Sequence, residues 1–427
     1  MRRAVETLAA FFAGAVLLDP VGEALFYGSE GFPVDGDAYG VLRLLSAPLA
    51  LVLVMVGAAA AFALPARYRG WPAGTVALLV CQALIAYAPL DSRQAIMELG
   101  PSYRLLLALV GGLAIGAIVG AVLPAAVPTA GLAAGIVINL SVLPYLPAVV
   151  LDDRGYAGLV PILAVVTAAA ASLLTRDRRP EGAPPGLVAG VTVVAVIGAV
   201  VGAAFHMQYV DRALAGRVGI ALAVLLGTAV LWAGLVAALV AWTARRAGPG
   251  AARLALVCAG GAPVLFAAAQ GNAWFFGTVG PWALAAVGGV AGAALGVRVA
   301  RPVAVAAGLV ACAALAVALF TNDTAGGWWV APGAALAAFT LAAALGGRAP
   351  VDAVYGLLGL VVSIPLVIGL ISLAQVVGGG SEGAEPWIVL MPIWVCALAT
   401  ALALLVWRPR SPAPAGTAPS PAASDRS

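Results

Sequence analysis

The sequence predicts an all-α polytopic membrane protein with about fourteen transmembrane helices and both termini on the cytoplasmic side. Three observations carry this. Of 427 residues, 63% are hydrophobic and only 9% are charged, whereas a soluble domain carries roughly 25% charged residues. Apolar stretches recur along the whole chain, each near the roughly 20 residues that cross a bilayer. The connections between them alternate between arginine-rich and acidic, the pattern the positive-inside rule demands.

The first stretch, 5–27, sets the orientation. Arg2 and Arg3 precede the apolar run LAAFFAGAVLL, and Asp19, Pro20 and Glu23 follow, before the acidic segment Glu30 to Asp37. A basic start could imitate a secretory leader, but Phe11, Phe12, Asp19 and Pro20 leave no small-residue cleavage site, so a retained span is expected. Further stretches follow at 41–64, 72–90, 103–123, 127–150, 157–175, 186–206 and 217–242. The second half continues at 253–270, 279–297, 302–320, 327–346, 353–376 and 386–407. The separation of the fourth and fifth at Pro124–Pro128 is the narrowest.

Charge tests the count. With the N-terminus inside, sixteen of the 22 basic residues, all of them arginine, fall on the inner side with five of the 18 acids. A single missed span would scramble the parity downstream; loss of two adjacent spans would preserve it, so twelve spans also satisfies the charges. The segments Leu90 to Tyr103 and Met207 to Arg217 read as short interfacial stretches. The end of the chain, SPAPAGTAPSPAASDRS from Ser411, lacks apolar periodicity and reads as a disordered cytoplasmic tail.

Small residues cluster in GGLAIGAIVG (111–120), GLAAG (131–135) and GGVAGAALG (288–296). Spaced by four, they let membrane helices approach closely. Cys81, Cys258, Cys312 and Cys396 lie singly in apolar runs with no metal spacing. With one histidine, His206, and no lysine, neither a His/Cys metal site nor a nucleotide-binding Gly-rich loop is expected. The sequence implies no cofactor, no nucleic-acid partner and no catalytic domain, since the loops are too short to form one. An intramembrane enzyme using Asp91, Asp152 or Asp153 at the outer face stays open.

Charge inside hydrocarbon is costly and points to function. Asp19 lies about 21 Å along its span at roughly 1.5 Å per residue, and Glu23, four residues on, shares its face. Two carboxylates so placed can load and release a proton, which makes Asp19 and Glu23 the candidate proton-coupling pair. The competing reading ends the helix at Pro20 and puts Asp19 in a wet loop. Gln82, Asn139 and Gln375 are candidates for lining a polar cavity, with helix-to-helix hydrogen bonding as the ordinary alternative.

Three stretches resemble the 14-span drug/proton antiporter branch of the major facilitator superfamily. LLDPVGEAL (17–25) is similar to its first-helix motif, with Asp19 at the Asp. LLALVGGLAIGAIVGAVLPAA (106–126) resembles its fourth helix, with Gly112 at the Gly but an apolar residue near Leu109 where the branch has Arg. FHMQYV (205–210) is similar to a Tyr-Leu-Gln stretch. The loop after the second helix, PARYRGW (65–71), lacks the branch's Asp, and GLAAGIVINL lacks its Gly-Pro.

The resemblance implies a two-bundle architecture: six helices over 1–175, two linker helices over 176–252, six helices over 253–407, and the tail 408–427. It also implies proton coupling. The expected function is a secondary active transporter in the cytoplasmic membrane, moving a small or amphiphilic molecule by alternating access, with protons and membrane lipids as partners. The alternative is a noncatalytic membrane protein supporting envelope assembly or lipid or polysaccharide export.

Overall fold

In the computed structural model, the described residues are 1–21, 38–87, 93–141, 156–175, 182–213, 218–270, 279–321, 327–363 and 387–406. They are mostly helical. The first six are α1 (Arg2–Val16), α2 (Ala38–Ala63), α3 (Trp71–Tyr87), α4 (Arg93–Val122), α5 (Ala126–Ser141) and α6 (Tyr156–Leu174). Next come α7 (Leu187–Ala213) and α8 (Val218–Ala247), then α9 (Pro249–Leu256), which passes through a π turn at Val257–Gly261 into α10 (Ala262–Gln270). The last are α11 (Val279–Gly296), α12 (Pro302–Thr321), α13 (Val330–Leu345), α14 (Pro350–Ser363) and α15 (Trp387–Val406).

In every one of the fourteen apolar stretches the described residues include a helix, α9 and α10 together making the ninth. Three described segments, Arg2–Val21, Tyr103–Val122 and Pro249–Ala269, are long and apolar enough to cross a membrane, and ten more described helices are shorter and apolar. Their outward faces are apolar too. Val193, Val196, Ile197 and Val200 on α7, and Val395, Leu398, Leu402 and Leu405 on α15, recur at helical spacing and are exposed. Water would penalise such stripes, and lipid would not. The chain is an all-α, multi-pass membrane protein.

The narrow separation at Pro124 is a turn over Leu123–Ala125, because proline cannot supply the N–H that would carry α4 onward. The described parts of the two expected interfacial stretches are helical. Residues 93–103 open the 30-residue α4, and 207–213 close α7. The junction of α8 and α9 is a one-residue turn. Gly248 adopts φ +91, a conformation that disfavours any side chain, and Pro249 follows at the first helical position, where its missing N–H costs nothing.

Packing in the first six helices recurs in the last six. α1 lies against α5 and α6, α2 against α4, and α3 against α4 and α6. Correspondingly, α11 lies against α13, and α12 against α13 and α15, while α10 meets α15. α9 completes the set by touching α14, where a Cβ on Gly359 would lie 2.3 Å from the Ala255 carbonyl. The closest crossings use glycine in both sets. A Cβ on Gly112 would sit 2.0 Å from the Val54 oxygen, and one on Gly292 would sit 2.1 Å from the Ala335 oxygen. α5 joins the sets by packing on α11 and α13.

The helices α7 and α8 touch both sets. α7 packs on α2, and α8 packs on α9. Trp232 Nε1 on α8 donates to the Val362 carbonyl of α14 at 3.1 Å, and the Trp242 ring lies 5.5 Å from that of Tyr355.

Candidate functional site

α1 does not run straight through. Its helix ends at Val16, the backbone bends at Leu17 and Leu18, and helical geometry resumes at Asp19. Pro20 has no N–H to return to Val16, which favours a break at this point. Two readings of Asp19 were open, a mid-span carboxylate and the start of a wet loop. The structure gives a third arrangement, a half-buried carboxylate just past a helix break.

Asn139 fills that break from α5. Its buried side-chain amide donates through Nδ2 to the Ala15 carbonyl at 2.5 Å and to Asp19 Oδ1 at 2.8 Å. One amide thus satisfies a backbone acceptor released by the bend and a carboxylate beyond it. In hydrocarbon both acceptors would otherwise be expensive.

Local sequence explains how Asn139 reaches so far. A Cβ on Gly135 would lie 2.1 Å from the Phe11 carbonyl, and one on Gly14 would lie 2.6 Å from that of Leu132. Glycine at these positions lets α1 and α5 cross backbone to backbone. Asn139 sits one turn beyond Gly135 and so faces the last turn of α1. On the other side Pro20 rests on α4, its Cβ 3.0 Å from where a Cβ on Gly111 would lie. The break is therefore held between α4 and α5.

Of the five residues singled out from sequence, the structure joins Asp19 and Asn139. Gln82 lies half-buried on α3, whose neighbours are α4 and α6. Its Nε2 is buried without a hydrogen-bond partner among the described residues, and no hydrogen bond links it to the pair. Glu23 and Gln375 lie outside the described residues. Ser141, beside Asn139, is satisfied within α5 by the Val137 carbonyl at 2.7 Å.

Sequence reasoning missed Glu6. It was assigned to the inner loop, yet it is 5% exposed on the packed face of α1. Arg2 Nε donates to its Oε1 at 3.2 Å from one turn earlier. The i, i+4 spacing of Arg2 and Glu6 was the available signal. α1 thus bears one buried carboxylate near its start and a half-buried one past its end.

No protein-family model and no curated protein sequence matches the chain. Among solved structures it is similar to an auto-inhibited peptide transporter of the POT family, at 15% identity over 95% of this chain and 96% of that one, with a TM-score of 0.48. It is also similar to a bacterial homologue of the human drug and peptide transporters PepT1 and PepT2, at 15% identity over 95% of both chains, with a TM-score of 0.45. A third is tetrameric PepTSo2, at 15% identity, covering 95% of this chain and 96% of that one, with a TM-score of 0.43. Overlap at this level assigns no family, and the architecture rests on the chain's own helix packing.

Proposed function

We propose that the chain is a secondary active transporter of the cytoplasmic membrane, coupled to protons through Asp19, for a small or amphiphilic substrate. The observation that carries this is the broken first helix, with Asp19 beyond the break and Asn139 bridging it to the Ala15 carbonyl. Discontinuous membrane helices supply ion and substrate sites because their free backbone groups and carboxylates face protein instead of lipid. A proton arriving on Asp19 would cancel the charge that Asn139 stabilises, weakening the bond that ties α1 to α5. That is a local change able to bias one helix arrangement over another.

The working units of this proposal are two six-helix bundles, 1–175 and 253–407, joined by α7 and α8 within 176–252. The recurrence of five helix pairings supports it. The resemblance to the 14-span antiporter branch belongs to the same proposal, with Asp19 in the position of its first-helix Asp and Gly112 at a helix crossing.

Proteoliposomes holding the full chain and an internal pH dye test it. A panel of small amphiphilic compounds, added outside under a pH gradient, should include compounds that drive proton flux. Asp19→Asn should abolish that flux while leaving exchange of the same compound across the membrane. Flux in the variant at the wild-type rate would overturn the assignment.

A further inference from the structure

At the end of the bundle that the charge pattern places in the cytoplasm, Arg245, Arg246 and Arg253 lie on α8 and α9, and Arg298, Arg301 and Arg348 lie in the turns after α11, before α12 and after α13. Asp352 on α14 is the acid among them in these described segments. The first turn of α9 brings opposite charges near each other. A Cβ on Gly250 would lie 2.9 Å from Asp352 Oδ2 and 3.5 Å from Arg348 Nη1. Arg348 is anchored from below, its Nε donating to the Ala344 carbonyl at 3.2 Å.

Between these helix ends opens a crevice of about 10 Å³, whose lining includes Arg253 and Arg348 together with Pro302, Val305 and Leu404. That volume takes one water-sized atom group. It is sufficient for one phosphate oxygen. Burial pulls the Arg348 guanidinium down from its ordinary value, Asp352 opposes this, and Arg253 adds to it by like-charge repulsion. Arginine still holds its proton there, so the crevice favours an anion.

α15 contributes one residue to the apolar lining. Leu404 is buried, while Leu402, Leu405 and Val406 around it on α15 are exposed and apolar. A basic crevice between helix ends at the level of the inner headgroups, lined in part by a helix whose other face is apolar and exposed, matches an amphiphile with an anionic head. We propose that it seats the phosphate of an anionic phospholipid of the cytoplasmic leaflet, one oxygen between Arg253 and Arg348 and an acyl chain along α15. This rests on the membrane architecture and is independent of the transport reading.

Native mass spectrometry of the full chain, supplied with phosphatidylglycerol or with phosphatidylcholine, reads lipid retention directly. Phosphatidylglycerol should be retained preferentially. Arg253→Gln and Arg348→Gln should each lower its retention about tenfold, the loss of one charged hydrogen bond. Asp352→Asn removes the competing acid and should raise retention several-fold, a change that a poorly folded variant cannot imitate. Three results would overturn the proposal: equal retention of the two lipids, no gain in Asp352→Asn, or displacement of the lipid by soluble glycerol phosphate, which would make this a site for free anions.

Discussion

Asn139 and Asp19 stand 120 residues apart in the chain and are joined by a 2.8 Å hydrogen bond across the break in the first helix. The same amide nitrogen reaches the Ala15 carbonyl, so a single side chain closes both ends of the interruption. Its removal strands two acceptors together, one of them a carboxylate.

Asn139→Ala should therefore destabilise the protein by about 1–3 kcal/mol, the cost of leaving buried polar groups unpaired. Membrane hydrogen bonds measured singly are nearer roughly 0.6 kcal/mol, so a loss above 1 kcal/mol would mark the stranded carboxylate as the larger effect. Thermal unfolding in detergent, compared between Asn139→Ala and the double variant Asn139→Ala with Asp19→Asn, separates the two. The double variant should regain part of the loss.

The glycines at the helix crossings give a graded test of packing. Gly112→Ala and Gly292→Ala place a Cβ about 2 Å from a backbone oxygen of the neighbouring helix. Neither backbone can move without shifting a helix, so each should cost about 1–3 kcal/mol by overpacking. Gly234 on α8 has nothing within 4 Å of an added Cβ. Gly234→Ala should be neutral or stabilise by up to about 1 kcal/mol through helix propensity. Equal unfolding temperatures for all three variants would contradict the crossings.

The loop PARYRGW performs a task that its composition did not announce. Arg69 Nε donates to the Leu64 carbonyl at 2.6 Å, and its guanidinium lies within 3 Å of where a Cβ on Gly182 would be. Alongside, the Ala183 amide donates to the Phe62 carbonyl at 3.0 Å. The segment entering α7 is thus fastened to the end of α2. Arg69→Ala should speed hydrogen exchange at the Ala183 amide by about tenfold, corresponding to roughly 1.4 kcal/mol of lost local protection. Exchange unchanged from wild type would show that the Ala183 bond holds without the arginine.

Much of this fold was legible because membrane spans are specified locally. An apolar stretch of sufficient length forms a helix wherever it sits, so the described residues of all fourteen stretches are mainly helical. Ends were less legible. Leu90 to Tyr103 and Met207 to Arg217 look interfacial by composition, and in their described parts, 93–103 and 207–213, they are continuous with the long helices α4 and α7. The site was legible as a set of residues and not as a pair. Asp19 and Asn139 stood out because each is polar in an apolar span. That they meet depends on Gly14 and Gly135 setting the depth of one crossing, a long-range fact that neither stretch states alone. Glu6 was missed for a related reason: its burial comes from the packing of α1, and the sequence reading counted it only among the five acids of the inner side.

The hairpin of α7 and α8 offers the most direct test of how the two six-helix sets are tied. A Cβ on Gly198 of α7 would lie 3.9 Å from Val361 Cβ on α14, inside the separation of about 3.5–4.5 Å that a disulfide spans. The native cysteines Cys81, Cys258, Cys312 and Cys396 are all free thiols, so the test uses a background in which each is replaced by alanine. In that background Gly198→Cys with Val361→Cys should crosslink under a mild oxidant, read as a mobility shift reversed by reductant. α7 is itself packed on α2, so the new bond would fix a helix of the first set to one of the second. If the sets rock against each other during transport, oxidation should stop substrate exchange and reduction should restore it. Full crosslinking with undiminished exchange would mean that α7 travels with α14, and that the movement occurs instead along the surface between α7 and α2.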